Sequence, residues 1–451
     1  MTNKNKSIGI LGGGISGLSA AYKLSSENYA VTVYEKEKQV GGAIKTYHQD
    51  EWLVEEGPNT LMVKSKEVWE LLEELNLTDS SIEAGKTAKK RFIVKNDRPI
   101  PLPMSLGSFL ITNLFSARAK FRLLKEPFVS QSNNEDESIA DFITRRLGRE
   151  PLDYAVNPFV SGIYAGDPKT LSVKHTFASL WNMEQQYGSL LKGMFKSDRN
   201  NNSKSSLLSF NKGNQQLPIA IANVLDKKVQ TNTEIQSVVK NGDKWTVKGQ
   251  QNNQPFKDEH DIIISTLPAH SLPAIFDDSI FKPLNNLPYA PLSVVALGFY
   301  DKQIEHPLNG FGMLIPEAEK RKTLGVLFSS SLFPGRAPEN HQLLTCFIGG
   351  ARNPELAGKQ KQELQEIVLS EIRELLDITG EPVFSHHRFW PKTIPQYEVG
   401  YDKFLNQIAE IEKQEKGLFI EGNFRGGVSV PDCILSGFKT AKKAHTFLNG
   451  Q

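Results

Sequence analysis

The pattern of apolar and polar positions near the N-terminus predicts a strand, a helix and a second strand. Ile8, Ile10 and Leu11 predict a buried first strand, and residues 31–34 predict the next one. Between them, a helix is indicated by apolar residues at helical spacing, namely Leu18, Ala21, Tyr22 and Leu24. This order predicts a β-α-β unit.

Further along the chain the pattern predicts more sheet and several amphipathic helices. Residues 262–264 predict a buried parallel strand, and short strands separated by turns fill the segment 288–350. Amphipathic helices are predicted at 64–77, 104–124, 139–147 and 361–376. The polar, asparagine-rich segment 198–206 predicts a mobile loop. The expected fold class is therefore α/β combined with α+β.

Glycines occupy the turn between the first strand and the first helix. Gly12, Gly14 and Gly17 fit the pattern G-x-G-x-x-G, and Glu35 ends the second strand eighteen residues after Gly17. In such a unit the turn and the helix N-terminus bind a pyrophosphate, and the carboxylate accepts the ribose hydroxyl hydrogens. The pattern predicts a dinucleotide site and leaves NAD and FAD both open.

Composition and charge restrict the function and the compartment. The 451 residues include 53 basic and 51 acidic side chains, a formal net charge of +2 that gives no reason to expect a nucleic-acid partner. The two cysteines provide neither a disulfide framework nor a metal quartet, which favours a reducing compartment. Without a signal peptide or a spanning segment, we expect a cytoplasmic protein, either free or in peripheral contact with the cytoplasmic membrane.

The sequence shows no arrangement for hydrolysis or for metal chemistry. It contains no Ser-His-Asp order, no zinc-ligand spacing and no P-loop. The nine histidines are scattered apart from His386 and His387, which lie in a predicted strand and are interpreted as structural. We therefore expect no metal site, and we expect a bound cofactor to perform the chemistry.

Three further stretches carry a family resemblance. Gly41-Gly42 follows the predicted ribose carboxylate, residues 162–168 read Gly-Ile-Tyr-Ala-Gly-Asp-Pro, and residues 422–428 form a glycine-rich turn before the last helix. In this order they resemble the oxygen-dependent protoporphyrinogen and coproporphyrinogen oxidase family of the flavin amine oxidase superfamily. The resemblance covers nearly the whole chain, from Ser7 to Leu448.

The resemblance implies a Rossmann-like FAD-binding domain of the p-hydroxybenzoate hydroxylase/monoamine oxidase type, with a mixed substrate-domain sheet and a helical insertion. The implied FAD-binding domain is discontinuous, at 1–90, 208–270 and 385–451. The helical subdomain is expected at 91–207 and the substrate-binding domain at 271–384.

The resemblance also implies noncovalent FAD, so Cys433 is not expected to be a covalent flavin anchor. An extended FAD needs contacts at both ends, which residues 41–42 and 422–428 are expected to provide. This narrows the predicted dinucleotide from NAD or FAD to FAD. The predicted cofactor-binding residues are Gly12, Gly14, Ile15, Ser16, Gly17, Glu35, Lys36, Gly41, Gly42, Gly57, Pro58, Asn59, Ile235, Gly422, Asn423 and Val428.

The implied reaction removes hydride equivalents from a porphyrinogen three times and passes them to oxygen. No protein side chain is expected to be catalytic, because the flavin performs the hydride transfer. The preferred substrate is protoporphyrinogen IX, and coproporphyrinogen III is the alternative. A tetrapropionate substrate would need more cations, which could come from Lys64, Lys66, Lys89 and Lys90.

A pocket for an apolar macrocycle with anionic propionates needs apolar walls and a few cations. By resemblance, Arg91 faces a propionate and Phe347 forms a wall near the ring. Leu297 or Phe299 is expected to clamp the opposite face. The predicted substrate-binding residues are Arg91, Asn59, Gly166, Leu297, Phe299 and Phe347.

The segment 104–125 is apolar and then basic, a composition that suits either a membrane interface or packing within its own domain. The expected partners are the porphyrinogen and oxygen, a peripheral membrane contact and a ferrochelatase that receives the product. The protein is expected to be a monomer or a homodimer. Other interpretations are a flavin amine oxidase, a carotenoid desaturase, or a redox-silent FAD-binding protein.

Overall fold

The computed structural model describes residues 6–197 and 205–450. The predicted mobile loop at 198–206 therefore lies mostly outside the described residues, and its last residue, Ser206, begins a strand. Within the described ranges, none of the helices is long and apolar enough to cross a membrane.

The described residues form twenty strands. In chain order they are β1 (Ser7–Leu11), β2 (Ala30–Tyr34), β3 (Thr46–Gln49), β4 (Trp52–Glu55), β5 (Leu61–Val63), β6 (Ser81–Glu83), β7 (Phe92–Lys95), β8 (Arg98–Pro101), β9 (Ser206–Phe210), β10 (Val229–Gln230), β11 (Thr233–Asn241), β12 (Lys244–Gln251), β13 (Gln254–His260), β14 (Ile262–Ser265), β15 (Tyr289–Tyr300), β16 (Gly312–Leu314), β17 (Thr323–Phe328), β18 (His341–Gly349), β19 (Phe384–Pro395) and β20 (Leu418–Ile420).

The same residues form seventeen α-helices, several of them a single turn. In chain order they are α1 (Ile15–Ser26), α2 (Lys66–Glu74), α3 (Leu106–Ile111), α4 (Ala117–Leu124), α5 (Ile139–Arg146), α6 (Arg149–Pro151), α7 (Asn157–Tyr164), α8 (Val173–Thr176), α9 (Ala178–Tyr187), α10 (Leu190–Ser197), α11 (Gln216–Leu225), α12 (Leu272–Ile275), α13 (Ser329–Leu332), α14 (Pro354–Ala357), α15 (Lys361–Leu376), α16 (Asp402–Gln414) and α17 (Val430–Leu448).

A five-stranded parallel sheet forms the first half of the fold, in the order β10-β2-β1-β14-β20. The side chains of Ile8, Ile10 and 262–264 are fully buried in it, as expected for a sheet covered on both faces. Helices α1 and α17 lie side by side, and a Cβ on Gly437 would be 2.4 Å from the carbonyl oxygen of Ser16. The predicted β-α-β unit and the buried strand at 262–264 are confirmed.

A seven-stranded mixed sheet forms the second half, in the order β19-β15-β18-β17-β16-β7-β8. All neighbours pair antiparallel except β16 and β7. Helix α15 covers one face through an apolar stripe that includes Leu364, Val368 and Ile372. The sheet takes β7 and β8 from the segment assigned to the helical subdomain, and the domain boundaries themselves stay a prediction.

The predicted helix at 104–124 is wrong as a continuous element. The structure has two short helices, α3 and α4, separated at residues 112–116. Leu114 and Phe115 turn inward between them and pack on Ile93 and Ala119. Ser116 then starts α4 by accepting a hydrogen bond from the Ala119 amide at 3.2 Å. Burial of these two apolar side chains, together with the new cap, interrupts the helix.

Candidate functional site

The glycine turn at residues 12–17 has the geometry that a pyrophosphate site requires. Gly12 has φ +102°, which favours glycine, and its amide donates to the Tyr34 carbonyl oxygen at 2.9 Å. A Cβ on Gly17 would lie 2.2 Å from the Gly12 carbonyl oxygen, so this glycine permits close packing of helix on strand. At Gly14 a Cβ would meet nothing within 4 Å. Open space therefore lies in front of the backbone where a phosphate would approach.

The N-terminus of α1 leaves its first amides available for an anion. Gly14 caps the helix without a side-chain hydrogen bond, and the first turn, which contains Ile15 and Ser16, carries no acidic residue. The first four amides of a helix have no intrahelical partner, and the helix dipole favours negative charge at this end. These residues fit the predicted pyrophosphate.

Glu35 is held in place by two backbone amides. It is 7% exposed, and its two carboxylate oxygens accept from the amides of Gly13 at 2.8 Å and Glu37 at 2.9 Å. Each oxygen retains a second lone pair, which is sufficient for the ribose hydroxyls. The neighbouring Lys36 is exposed and lines a groove of about 380 Å³ with Asn232 and Glu234.

Strand β11 begins against this carboxylate. The amide of Thr233 donates to the carbonyl oxygen of Glu35 at 2.8 Å. Ile235 lies two residues further along the strand, is half-buried and pairs with Gly249. The structure thus brings Glu35, Lys36 and Ile235 to one end of the candidate cofactor site.

The second glycine pair packs directly on the first turn. The amide of Gly41 donates to the carbonyl oxygen of Gly13 at 2.9 Å. Gly41 and Gly42 have φ angles of +119° and +59°, and a Cβ on Gly42 would be 3.4 Å from the Cα of Gly14. Both predicted glycine segments therefore form one surface.

The loop at 57–59 continues this surface. A Cβ on Gly57 would lie 1.9 Å from the carbonyl oxygen of Ala43, so only glycine fits there. The Asn59 side chain donates to the Gly57 carbonyl oxygen at 2.9 Å, and the Asn214 side chain donates to the Pro58 carbonyl oxygen at 2.8 Å. Hydrogen bonds on both sides thus fix the loop beside Ala43.

Glu56, next to this loop, joins it to the seven-stranded sheet. Its carboxylate is 2.8 Å from His386 Nε2, and its carbonyl oxygen accepts from Trp390 Nε1 at 2.6 Å. Burial alone would raise the pKa of Glu56, but the hydrogen bond with His386 and the charge of Arg388 bring this pKa below its usual value. His386 is therefore a structural link between the two halves.

The C-terminal glycine turn, residues 422–428, reaches the site from the other side. Glu421 beneath it is buried and accepts from the Gly422 amide at 3.0 Å and from the Thr440 hydroxyl at 3.1 Å. Asn423 and Val428 are half-buried on the turn. Since α17 starts at Val430 and packs on α1, the two helix N-termini lie side by side. This arrangement suits an extended dinucleotide cofactor.

Cys433 lies in the first turns of α17. Burial raises the pKa of its thiol to about 12, and the Ser16 hydroxyl is its hydrogen-bonding neighbour. A thiol with this pKa stays protonated at neutral pH and is a poor nucleophile. The described residues contain no group of three or more His, Cys, Asp or Glu side chains placed to hold a metal ion.

The family-like stretch at 162–168 ends α7 and packs on the seven-stranded sheet. Ala165 has φ +46°, a left-handed conformation that is uncommon for alanine, and its carbonyl oxygen accepts from the Ala351 amide at 2.7 Å. Ala165 belongs to an apolar cluster against which Phe347 packs. At Gly166 a Cβ would lie 2.7 Å from Gln396 Oε1. The structure thus brings Gly166 and Phe347, two predicted substrate residues, to one region.

Tyr397 connects this stretch to the C-terminal glycine turn. Its hydroxyl donates to the carbonyl oxygen of Asn423, and its own carbonyl oxygen accepts from the Ser172 amide at 2.8 Å. Its ring centroid lies 6.1 Å from that of Tyr164. The substrate-like stretch therefore lies next to the candidate cofactor site.

The predicted clamp by Leu297 or Phe299 is contradicted. Both side chains are fully buried between the sheet and α15. The register pairs Val294 with Phe347, so Phe347 shares the face of Val294, whereas Leu297 lies three residues further and points to the opposite face. Side chains alternate between the two faces of a strand, so Leu297 and Phe299 lie on the face away from Phe347, the predicted wall residue.

Arg91 and Asn59 lie near one apolar cluster. The Arg91 guanidinium is 5.2 Å from the ring centroid of Phe311, which packs against the apolar cluster that contains Phe333. Asn59 and Phe333 line the same small cavity. Their roles toward a substrate stay predictions.

The sequence assigned no role to Glu55 or Arg336, which also line that cavity. Arg336 follows Pro334-Gly335 in an ordinary turn segment, so its local pattern carries no signal. Only the fold shows that it is 2% exposed and ion-paired with Glu55. The one signal for a buried charge in the sequence was Glu55 itself, an acidic residue next to Glu56 at the end of the otherwise apolar strand β4.

Comparison with known proteins identifies the family of the chain. The family model of flavin containing amine oxidoreductases matches residues 15–445. Protoporphyrinogen oxidase 2 of Arabidopsis thaliana is 35% identical over 98% of this chain and 94% of its own length. Coproporphyrinogen III oxidase of Bacillus subtilis is 26% identical over 99% of this chain and 100% of its own length.

The chain belongs to the flavin containing amine oxidoreductase family, within the protoporphyrinogen/coproporphyrinogen oxidase group. A solved structure from Exiguobacterium sp. 255-15, provisionally named a protoporphyrinogen oxidase, matches with a TM-score of 0.84, at 23% identity over 99% of both chains. That match supports the fold. The predicted fold class and family are confirmed, and the protein is an enzyme of oxidase type with a flavin cofactor.

Proposed function

We propose that the protein oxidises protoporphyrinogen IX to protoporphyrin IX in haem biosynthesis, with noncovalently bound FAD and with oxygen as acceptor. The balance is six electrons and six hydrogens removed per porphyrinogen, with three O₂ reduced to three H₂O₂. The bound flavin would supply the hydride chemistry. The observation that carries the proposal is the position of Tyr397, whose ring lies beside that of Tyr164 in the 162–168 stretch and whose hydroxyl donates to the Asn423 carbonyl oxygen of the C-terminal glycine turn.

The protein's own residues would bind, orient and shield. Gly12, Gly14 and the first turn of α1 would hold the pyrophosphate, and Glu35 the ribose. Phe347 and the Ala165–Gly166 turn would form one wall for the macrocycle, while Arg91 would face a propionate.

The identity to the plant protoporphyrinogen oxidase, 35%, exceeds the 26% to the coproporphyrinogen III oxidase, which supports protoporphyrinogen IX as the preferred substrate. Two of the four candidate cations for a third and fourth propionate have other partners in the structure. Lys66 is paired with Glu70 at 2.7 Å, and Lys90 donates to Asn309 at 3.1 Å. Coproporphyrinogen III remains the alternative substrate.

Anaerobic mixing tests the proposal. Stoichiometric protoporphyrinogen IX should bleach the flavin absorbance, and readmission of oxygen should restore it with formation of porphyrin. Faster bleaching by coproporphyrinogen III would reverse the substrate preference. Bleaching by a simple amine but by neither porphyrinogen would favour an amine oxidase, and no bleaching by any of the three would favour a redox-silent flavoprotein. Denaturation should release the yellow colour into the supernatant if FAD is noncovalent.

A peripheral membrane contact in the cytoplasm is also proposed, through the helical segment 104–195. Of the nineteen large apolar side chains that are exposed among the described residues, ten come from this segment. They are Met104, Leu110, Ile111, Phe121, Leu124, Phe128, Phe159, Ile163, Met194 and Phe195. We refer to these ten residues as the apolar surface. About half of the exposed large apolar side chains thus belong to this one segment, which supports a membrane contact there.

Two basic residues of this segment stabilise the fold of the segment itself through hydrogen bonds to backbone carbonyl oxygens. The ammonium group of Lys120 donates to the carbonyl oxygens of Leu110 at 2.9 Å and Thr112 at 2.7 Å. The Arg122 guanidinium donates to the Arg145 carbonyl oxygen at 3.0 Å. The apolar surface is therefore the part that a membrane test should change. Delivery of product to a ferrochelatase and the oligomeric state stay predictions.

A further inference from the structure

A buried ion pair joins the two halves of the protein beside the candidate site. Nη2 of Arg336 lies 3.5 Å from Oε1 of Glu55, and the two side chains are 2% and 3% exposed. Buried charges of this kind persist when additional hydrogen bonds satisfy them, so their other partners indicate what the pair holds together.

Arg336 connects the seven-stranded sheet to two strands of the flavin-binding half. It lies in the segment between α13 and β18, and its carbonyl oxygen accepts from the Leu53 amide at 3.1 Å. Its guanidinium donates to the Ser209 hydroxyl and to the Phe210 carbonyl oxygen, the latter at 3.3 Å. One side chain thus sets the position of β4, β9 and the sheet relative to one another.

Glu55 connects the same pair to the loop at 57–59. Its carboxylate accepts from the Thr46 hydroxyl and from the Asn214 amide, both at 2.8 Å. The Asn214 side chain in turn donates to the Pro58 carbonyl oxygen at 2.8 Å. Glu55, Arg336 and Asn59 line one cavity of about 10 Å³, roughly the space of a single water molecule.

The charge of this cluster changes near neutral pH. Burial raises the pKa of Glu55 to about 7, although Arg336, the Asn214 amide and the Thr46 hydroxyl act in the other direction. Arg336 is the charged group that faces Glu55 from the neighbouring segment. The adjacent Glu56 carboxylate interacts instead with His386 and Arg388. Burial thus places the pKa of Glu55 in the neutral range.

We propose that Glu55 and Arg336 form a positioning pair for the oxidase reaction. The pair holds the 57–59 loop against the cofactor and fixes the substrate sheet relative to it, so that Asn59 and Arg91 meet the substrate in the reactive arrangement. A small misplacement of reacting groups lowers the rate strongly even when binding survives. The inference rests on the proposed function for its kinetic readout, and its spectroscopic readout is independent of the substrate.

Glu55→Gln tests the pair, because it keeps the shape and one acceptor oxygen but removes the titration. The matched control is Glu381→Gln, which removes a carboxylate from the exposed pair of Arg373 and Glu381. We expect Glu55→Gln to retain one FAD per chain, to lose roughly tenfold or more in kcat with a smaller change in KM, and to flatten the pH profile between pH 6 and 8. The control should match the wild type in all three.

The bound flavin itself gives the second readout. Wild-type flavin absorbance should titrate with a midpoint near pH 7, and Glu55→Gln should abolish that titration. Thr46→Val, a milder change that removes one donor to Glu55, should move the midpoint upward. If wild-type protein oxidises no porphyrinogen, the proposed function fails, whereas the flavin titration still tests the pair. Wild-type kcat and an unchanged titration in both variants would overturn the inference.

Discussion

The amide of Gly41 donates to the carbonyl oxygen of Gly13 at 2.9 Å, so two glycine turns distant in sequence share one hydrogen bond. This contact gives the candidate cofactor site its shape. It places Gly42 against Gly14 while the backbone at Gly14 remains open. The two functions of glycine in the turn, space for ligand and space for packing, can therefore be separated by substitution.

Gly14→Ala should weaken FAD binding by roughly tenfold or more and leave the apo-protein stable. The added methyl would meet nothing within 4 Å in the protein but would occupy the space in front of the pyrophosphate. The measurements are FAD titration by fluorescence and thermal unfolding of the apo-protein.

Gly17→Ala should behave in the opposite way. Its methyl would lie 2.2 Å from the Gly12 carbonyl oxygen, which requires the helix to shift and costs about 1–3 kcal/mol of stability. Equal effects of both substitutions on apo-protein unfolding would contradict the separation.

Phe347→Ala and Leu297→Ala should differ in what they change. Leu297 is fully buried under α15, so its truncation should cost about 2–5 kcal/mol of stability with little change in KM. Phe347 is half-buried on the other face, so its truncation should raise KM for the porphyrinogen at a smaller cost in stability. If Leu297→Ala raised KM and Phe347→Ala did not, Leu297 would contact the substrate, contrary to the strand register.

The stability of Glu55→Gln relative to wild type should depend on pH. Burial raises the folded-state pKa of Glu55 from its usual 4.5 to about 7, so the native state retains a proton that the unfolded state loses. Wild-type stability from this group is complete below pH 4.5 and is lost as pH rises through 7. Between pH 5 and pH 8, the free energy of unfolding of Glu55→Gln, measured with urea, should rise by roughly 1–3 kcal/mol relative to that of the wild type. A constant difference would exclude this ionisation.

Ile111→Ser with Phe128→Ser should reduce sedimentation with anionic vesicles. These side chains are 82% and 88% exposed on the apolar surface, so their removal should not affect folding. The matched control, Val224→Ser with Val383→Ser, changes exposed apolar residues elsewhere and should leave sedimentation unchanged. Unchanged binding of the first variant would exclude the apolar surface as the docking site.

The glycine turns, Glu35 and the long regular helices could be predicted because their signals are local. Gly12 requires a positive φ, and the stripe of α15 has helical spacing. The helix break at 112–116 could not be predicted, because it depends on Leu114 packing against Ile93 from a distant strand. Nor could the face of Leu297, which is set by strand register.

The Glu55–Arg336 pair was missed for a related reason. Buried charges are recognised by their partners, and the partners of Arg336 come from β4 and β9, segments far from it in sequence. The predictions for the cofactor end of the site rest on local glycine patterns. The substrate end depends on sheet pairing, which a local pattern does not give.

Product stoichiometry tests whether the protein is an oxygen-dependent protoporphyrinogen oxidase. FAD-loaded protein is mixed with protoporphyrinogen IX in air, and protoporphyrin fluorescence and H₂O₂ are followed together. Oxygen-dependent oxidation of protoporphyrinogen IX predicts three H₂O₂ per porphyrin formed, with a higher initial rate than for coproporphyrinogen III. Bound FAD without oxidation of either porphyrinogen would contradict it.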